Sequence, residues 1–230
     1  MIRAILFDLF DSLVYFPPVG VREEGIRLAG EAGLSEEQWI SGWRSTGLAA
    51  ACGEIKSLEE RVRLSLIAAG LAEPAEDLVN ALARSRLRQP ASALLYPDVK
   101  ECLTELRQQG LRLALISNIY DYEIGMLERM ELDKLLDVLV LSCCERVCKP
   151  DPAIYLAATG KLSVAPGECA FIGDGLSNEL AGARAVGITA VRIRRDEQSD
   201  DDERDSCFDI QVKDLPEFMS WLKSKQSSVE

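Results

Sequence analysis

At 230 residues the chain exceeds one small core and fits a domain carrying a large insertion, or two domains. Its composition, 47% apolar and 28% charged, is that of an ordinary globular protein, and no apolar run approaches the roughly 18–20 residues of a membrane span. Lys and Arg number 26 against 38 Asp and Glu, and this net charge of -12 argues against nucleic-acid backbones and anionic membranes, though not against a small phosphorylated ligand.

The chain opens on IRAILF (2–7), a branched apolar run that reads as a buried strand and ends at Asp8, with Asp11 three positions on. No basic region or small-residue cleavage site precedes it, so a cytoplasmic protein is expected. Residues 17–92 hold no strand pattern. Their spacing predicts four helices, at 19–33, 35–51, 57–70 and 74–88, placed directly after the first strand. Ser35 followed by Gln38 reads as a capping box. Tyr15, Phe16 and Arg22, at the entry to this insertion, are candidate substrate contacts. Trp39, Trp43 and Arg44 share its second helix, and the two Trp read as core rather than ligand contacts.

Beyond residue 93 short apolar runs alternate with helical stretches. The strands are LRLALI (111–116), LLDVLVL (135–141), CAFIG (169–173), ITAVRI (188–193) and CFDIQV (207–212). The helices fall within 97–110, 122–132, 151–162 and 178–187. This alternation indicates a parallel α/β sheet. The acidic stretch 194–206 reads as a solvated connection. Seven Cys without a CxxC pair read as reduced, structural thiols, and the absence of His excludes Ser-His and Cys-His catalysis.

Polar residues collect at the carboxyl ends of the strands, the edge where open parallel sheets bind ligands. Asp8, Ser117 with Asn118, Lys149, and Asp174 with Glu179 follow four different strands. Each has an ordinary reading, as turn residue, helix cap or solvated charge. Four such coincidences on one edge favour a site. Its carboxylates would repel one another without a cation, and oxygen donors lacking His or Cys suit Mg²⁺.

With these residues in view, FDLFDSLV, LALISN, CKPDPAIY and FIGDGLSNELAGARAVG resemble the four motifs of the haloacid dehalogenase-like hydrolases. The subgroup matched has a helical cap inserted after the first strand. The resemblance implies a Rossmann-like catalytic core at 1–16 and 93–230 and a helical-bundle cap at 17–92. It makes Asp8 the nucleophile that forms an aspartyl intermediate, and Lys149 its electrostatic partner. It gives Ser117 and the Asn118 backbone as phosphate donors. Asp8, the Phe10 carbonyl, Asp174 and Glu179 become the Mg²⁺ ligands. The implied partner is a small phosphorylated molecule, with no nucleic acid or membrane, in a monomer or homodimer.

One position departs from the phosphatase pattern. Its second acid, which moves the proton, is here Phe10. Asp11 is expected to stabilise the turn by bonding nearby amides, with a substitute proton-carrying role as the sharper alternative. Dehalogenases of the family also lack the second acid but usually lack the Gly-Asp pair, present here as Gly173-Asp174. The expectation is a Mg²⁺-dependent phosphohydrolase. The alternatives are a 2-haloacid dehalogenase and a non-catalytic phosphate-binding or interaction protein.

Overall fold

Strands buried on both faces need apolar side chains at every position, and the runs read from the sequence form a sheet of that kind. The computed structural model describes residues 1–195 and 207–227. Its strands are β1 (Ala4–Phe7), β2 (Val14–Tyr15), β3 (Leu94–Leu95), β4 (Arg112–Ser117), β5 (Val138–Leu141), β6 (Cys169–Gly173), β7 (Thr189–Ile193) and β8 (Ile210–Val212). Six of them make one parallel sheet in the order β5-β4-β1-β6-β7-β8. All four residues of β1, in the middle, are buried. Ile5 and Phe7 pack on one face and Ala4 and Leu6 on the other, the period-2 alternation of a strand. The acidic stretch expected as a solvated connection lies, at 196–206, outside the described residues.

The helices are α1 (Val21–Glu31), α2 (Glu36–Ser45), α3 (Gly47–Ala51), α4 (Leu58–Ala68), α5 (Glu76–Ser92), α6 (Val99–Gln108), α7 (Gly125–Arg129), α8 (Leu132–Leu135), α9 (Ser142–Glu145), α10 (Pro152–Leu162), α11 (Glu179–Ala185) and α12 (Leu215–Ser227). Among the described residues no helix is long and apolar enough to cross a membrane. Helices α6 and α12 cover the face carrying Ile5 and Phe7, whereas α10 and α11 cover the other. Helices α1 to α5 are inserted between β2 and β3, a two-stranded antiparallel pair (Val14 opposite Leu95) that the sequence does not signal. They enclose a separate core containing Trp39, Val62, Leu66 and Leu82.

Three helices differ from the expectation. The one expected over 35–51 is divided at Thr46, whose hydroxyl donates to the Trp43 carbonyl at 3.0 Å and competes with the helical ladder. The one expected over 74–88 runs to Ser92 through Pro90 in its last turn. The stretch 122–132 breaks at Glu131, which adopts φ 62 and starts the short α8. The capping box is present: the Gln38 amide donates to Ser35 Oγ at 3.2 Å, and the Ser35 amide donates to Gln38 Oε1 at 2.8 Å.

Candidate active site

Parallel register sets three chain ends side by side, because Phe7 pairs with Leu115 on β4 and with Ile172 on β6. Asp8 follows directly, and its amide donates to the Ile172 carbonyl at 2.8 Å, carrying the ladder one residue further. Its side chain is only 7% exposed. The Lys149 ammonium, also buried, donates to Asp8 Oδ1 and to Glu179 Oε2. Among the described residues Asp8 Oδ2 takes no hydrogen bond.

Burial pulls the Lys149 ammonium toward neutrality, but Asp8 and Glu179 more than reverse this and hold it charged. Burial, and after it the Asp8 charge, pushes Glu179 well above the usual carboxylate range. The same two causes push Asp174, which is half-buried, up to about 6. One carboxylate oxygen each from Asp8, Asp174 and Glu179 lies within 4.8 Å of the others. Three carboxylates thus face one ammonium, and the oxygen-only set could hold a divalent cation.

The β6–α11 turn fits this crowding. A Cβ at position 173 would overlap the Glu179 carboxylate, so Gly173 lets that side chain lie against the strand end. The Gly175 amide donates to Glu179 Oε1 at 3.1 Å, and the Leu176 amide to Asp174 Oδ1 at 3.0 Å. The Tyr155 hydroxyl on α10 donates to the Glu179 carbonyl at 2.7 Å.

Ser117 ends β4 fully buried, and among the described residues its Oγ has no hydrogen-bond partner. Such an orphaned group costs about 1–3 kcal/mol, a cost that a ligand oxygen beside it would relieve. The Asn118 side chain is engaged elsewhere. It donates to the Lys149 carbonyl at 3.0 Å and accepts from the Lys149 amide at 2.7 Å, tying the lysine's loop to the end of β4.

Asp11 is exposed and adopts φ 55, with its amide donating to the Val14 carbonyl at 2.7 Å. Its carboxyl makes no hydrogen bond among the described residues. The expected side-chain-to-amide bonding is therefore absent, and the left-handed backbone shapes the turn instead. Partial burial, and after it Asp8, raises the Asp11 carboxyl, so it lies within electrostatic reach of Asp8. Phe10, half-buried, stacks on Phe16 with ring centroids 5.3 Å apart.

A cavity of about 230 Å³ opens beside Phe10 and Asn118 and extends to Phe16, Trp43, Arg86 and Glu123. A second, of about 430 Å³, shares Phe16, Trp43 and Arg86 and reaches Arg22 and Arg44. Of the expected substrate contacts, Phe16 thus lines both cavities, and Tyr15 instead packs against Tyr96 in a tilted ring pair with centroids 4.9 Å apart. Trp39 is 1% exposed and belongs to the insertion core, as expected, and Trp43 packs against that core while also facing both cavities.

Sequence reasoning missed Arg61, Arg86 and Glu123. Arg61 is buried and donates to the Tyr122 hydroxyl at 2.9 Å and the Tyr120 hydroxyl at 3.2 Å. Its signal was a charge set on the apolar stripe of Leu58, Val62 and Leu66. Burial pushes the Glu123 carboxyl up to about 7. Arg86 stands likewise on the stripe of Val79, Leu82 and Ala83 on its helix, whereas Glu123 carried no such signal.

A family model described as haloacid dehalogenase-like hydrolase matches residues 2–187. The chain is 33% identical over 229 residues to a glyceraldehyde 3-phosphate phosphatase of Methanopyrus kandleri, spanning 95% of this chain and 92% of that one. It is also 33% identical over 178 residues to a phosphoserine phosphatase of Thermus thermophilus, covering 76% and 69%. A solved HAD phosphatase from Thermococcus onnurineus superposes with a TM-score of 0.68 at 25% identity, covering 96% of this chain and 98% of that one. The parallel sheet, the acids at its carboxyl edge and these matches agree: the chain belongs to the haloacid dehalogenase-like hydrolases.

Proposed function

We propose that the protein is a Mg²⁺-dependent phosphohydrolase acting on a small phosphorylated molecule through an aspartyl-phosphate intermediate. The observation that carries this reading is the buried clasp of Lys149 on Asp8, beside a three-carboxylate cluster and the unpartnered Ser117 hydroxyl. In this reading residues 1–16 and 93–230 are the catalytic core and 17–92 the cap that closes over it.

Asp8 attacks phosphorus with Oδ2 while Lys149 steadies Oδ1, so the nucleophile is held in one orientation. Ser117 Oγ and the Asn118 backbone donate to the phosphoryl oxygens as charge develops on them. The Asn118 side chain acts earlier, by fixing the backbone of Lys149. Asp8, Asp174, Glu179 and the Phe10 carbonyl are the residues that would hold Mg²⁺, which supplies positive charge beside the transferring group. Water then cleaves the aspartyl phosphate. Phe10 cannot assist either proton transfer, so turnover of unactivated esters is slow.

That same Phe10 favours a second reading, 2-haloacid dehalogenation, because halide departs without a proton. One comparison separates them: turnover of p-nitrophenyl phosphate with and without Mg²⁺, beside chloride release from 2-chloropropionate. Mg²⁺-dependent release of p-nitrophenol supports the phosphohydrolase. Chloride release unaffected by chelator supports the dehalogenase.

A further inference from the structure

Arg86, on α5, makes no hydrogen bond or ion pair among the described residues, although its Nε is buried. Its guanidinium lies 4.1 Å from the Trp43 ring centroid, and that of Arg61 lies 3.8 Å from the same centroid. The two cations therefore share one aromatic ring. Arg61 is engaged by the Tyr120 and Tyr122 hydroxyls; among the described residues Arg86 has no polar partner. Arg86 is half-buried, and its buried Nε is a donor left unsatisfied, which an anion reaching the guanidinium would relieve. The cavity that Arg86 lines runs to Phe10 and Asn118, next to the phosphoryl position of the proposed reaction, and at about 230 Å³ it has room only for a short carbon skeleton.

We propose that Arg86 is a specificity-determining residue that binds a second anionic group, a carboxylate, on a phosphate monoester with a short carbon chain. This rests on the phosphohydrolase reading of the same site. Trp43 holds the guanidinium plane in place, and a carboxylate accepts its N–H groups in the paired geometry the guanidinium favours.

The test measures affinities by calorimetry in the Asp8→Asn protein, so that no ester is consumed. The probes are phosphoglycolate, ethyl phosphate and inorganic phosphate. Phosphoglycolate should bind about 10- to 100-fold more tightly than ethyl phosphate, the range of one charge-assisted contact. Adding Arg86→Met should erase that difference while leaving ethyl phosphate unchanged, and Arg86→Lys should retain part of it. Equal affinity for the two esters overturns the inference and leaves the phosphohydrolase reading standing. So does equal weakening of both by Arg86→Met, which marks a structural residue. If none of the three probes binds, both fail.

Elsewhere, two thiols meet across the boundary of the insertion. Cys52, just after α3, places Sγ 2.6 Å from Sγ of Cys148, the residue before Lys149. This lies close to the bonded separation of about 2.05 Å. The approach is built in: Ser142 donates to the Ala51 carbonyl at 2.7 Å, and Gly53, at φ 69, has no side chain to strike the Cys143 carbonyl. Cys148 is buried and Cys52 half-exposed.

We infer that Cys52 and Cys148 form a disulfide under peroxide. Cys52 would be oxidised first to the sulfenic acid with release of water. Cys148 sulfur would then displace a second water, so that two thiols and one peroxide yield one disulfide and two waters. The bond would tie α3 to the Lys149 loop. Peroxide treatment of the full chain, alkylation and non-reducing digestion should give a Cys52–Cys148 linked peptide that dithiothreitol removes and Cys52→Ser abolishes. Recovery of both residues alkylated, with Cys144 or Cys207 oxidised instead, overturns the inference.

Discussion

An aromatic ring at position 10 cannot carry a proton, and its stacking on Phe16 shows what it does instead: it walls the cavity. General acid–base help is worth about 10²–10⁴-fold, so Phe10→Asp should raise phosphatase turnover by about 10-fold or more, read as kcat at saturating Mg²⁺. The lost ring pair should lower the melting temperature. If Phe10→Asp folds, binds Mg²⁺ and gains nothing, while Asp11→Asn abolishes activity, Asp11 is the proton carrier. Glu123 offers a second test at this scale. Its carboxyl is raised to about 7 when folded, so the native state holds the proton more tightly than the unfolded chain. Stability from this group is therefore greatest at low pH and falls as pH rises from about 4.5 to 7. Glu123→Gln keeps an acceptor for the Tyr120 amide without the charge. It should raise the melting temperature relative to wild type at pH 8 and leave it unchanged at pH 4.5; an equal shift at both would place the effect elsewhere. Asp8 and Asp174 were legible because a charge that terminates an apolar run is conspicuous, and Lys149 because the motif CKPDPAIY carries it. Arg86 gave a weaker cue: it stands on the apolar stripe of α5, but a long basic side chain at such a position can equally reach solvent.

Among elements, the β6–α11 turn is held by close contact. Gly173→Ala would drive a methyl group into Glu179, and overpacking of this kind costs about 1–3 kcal/mol. The expected outcome is a lower urea midpoint together with weaker Mg²⁺ binding, since Glu179 cannot move without disturbing Lys149. An unchanged midpoint would show that the turn relaxes freely. Strands such as 169–173 could be read to the residue, because burial on both faces demands an unbroken apolar run. The β2–β3 pair could not, being two residues long with no room for a period. Short helices failed similarly: α7 and α8 arise from one helical pattern, and the left-handed Glu131 between them is an ordinary helix former in sequence.

For the whole molecule, the helical insertion and the sheet border a common cavity at Phe10 and Asn118, and the alternation that set the insertion apart from the sheet was visible in the hydrophobic periods alone. How they meet was not, because the contacts that join them, Arg61 with Tyr120 and Tyr122 and Cys52 with Cys148, lie 59 to 96 residues apart. Metal binding should be read by the entire fold: a ligand that binds only the native state raises its stability. Mg²⁺ should raise the melting temperature of the wild type and not that of Asp174→Asn, and an unchanged rise would place the metal elsewhere. The claim on which the rest depends is that Asp8 accepts the phosphoryl group. Acid quenching during turnover of p-nitrophenyl phosphate, followed by peptide mass spectrometry, tests it directly. The account predicts a phosphoryl adduct on the peptide carrying Asp8, formed only with Mg²⁺ and lost in Asp8→Asn; steady turnover with no adduct on that peptide, or turnover that survives Asp8→Asn, would contradict it.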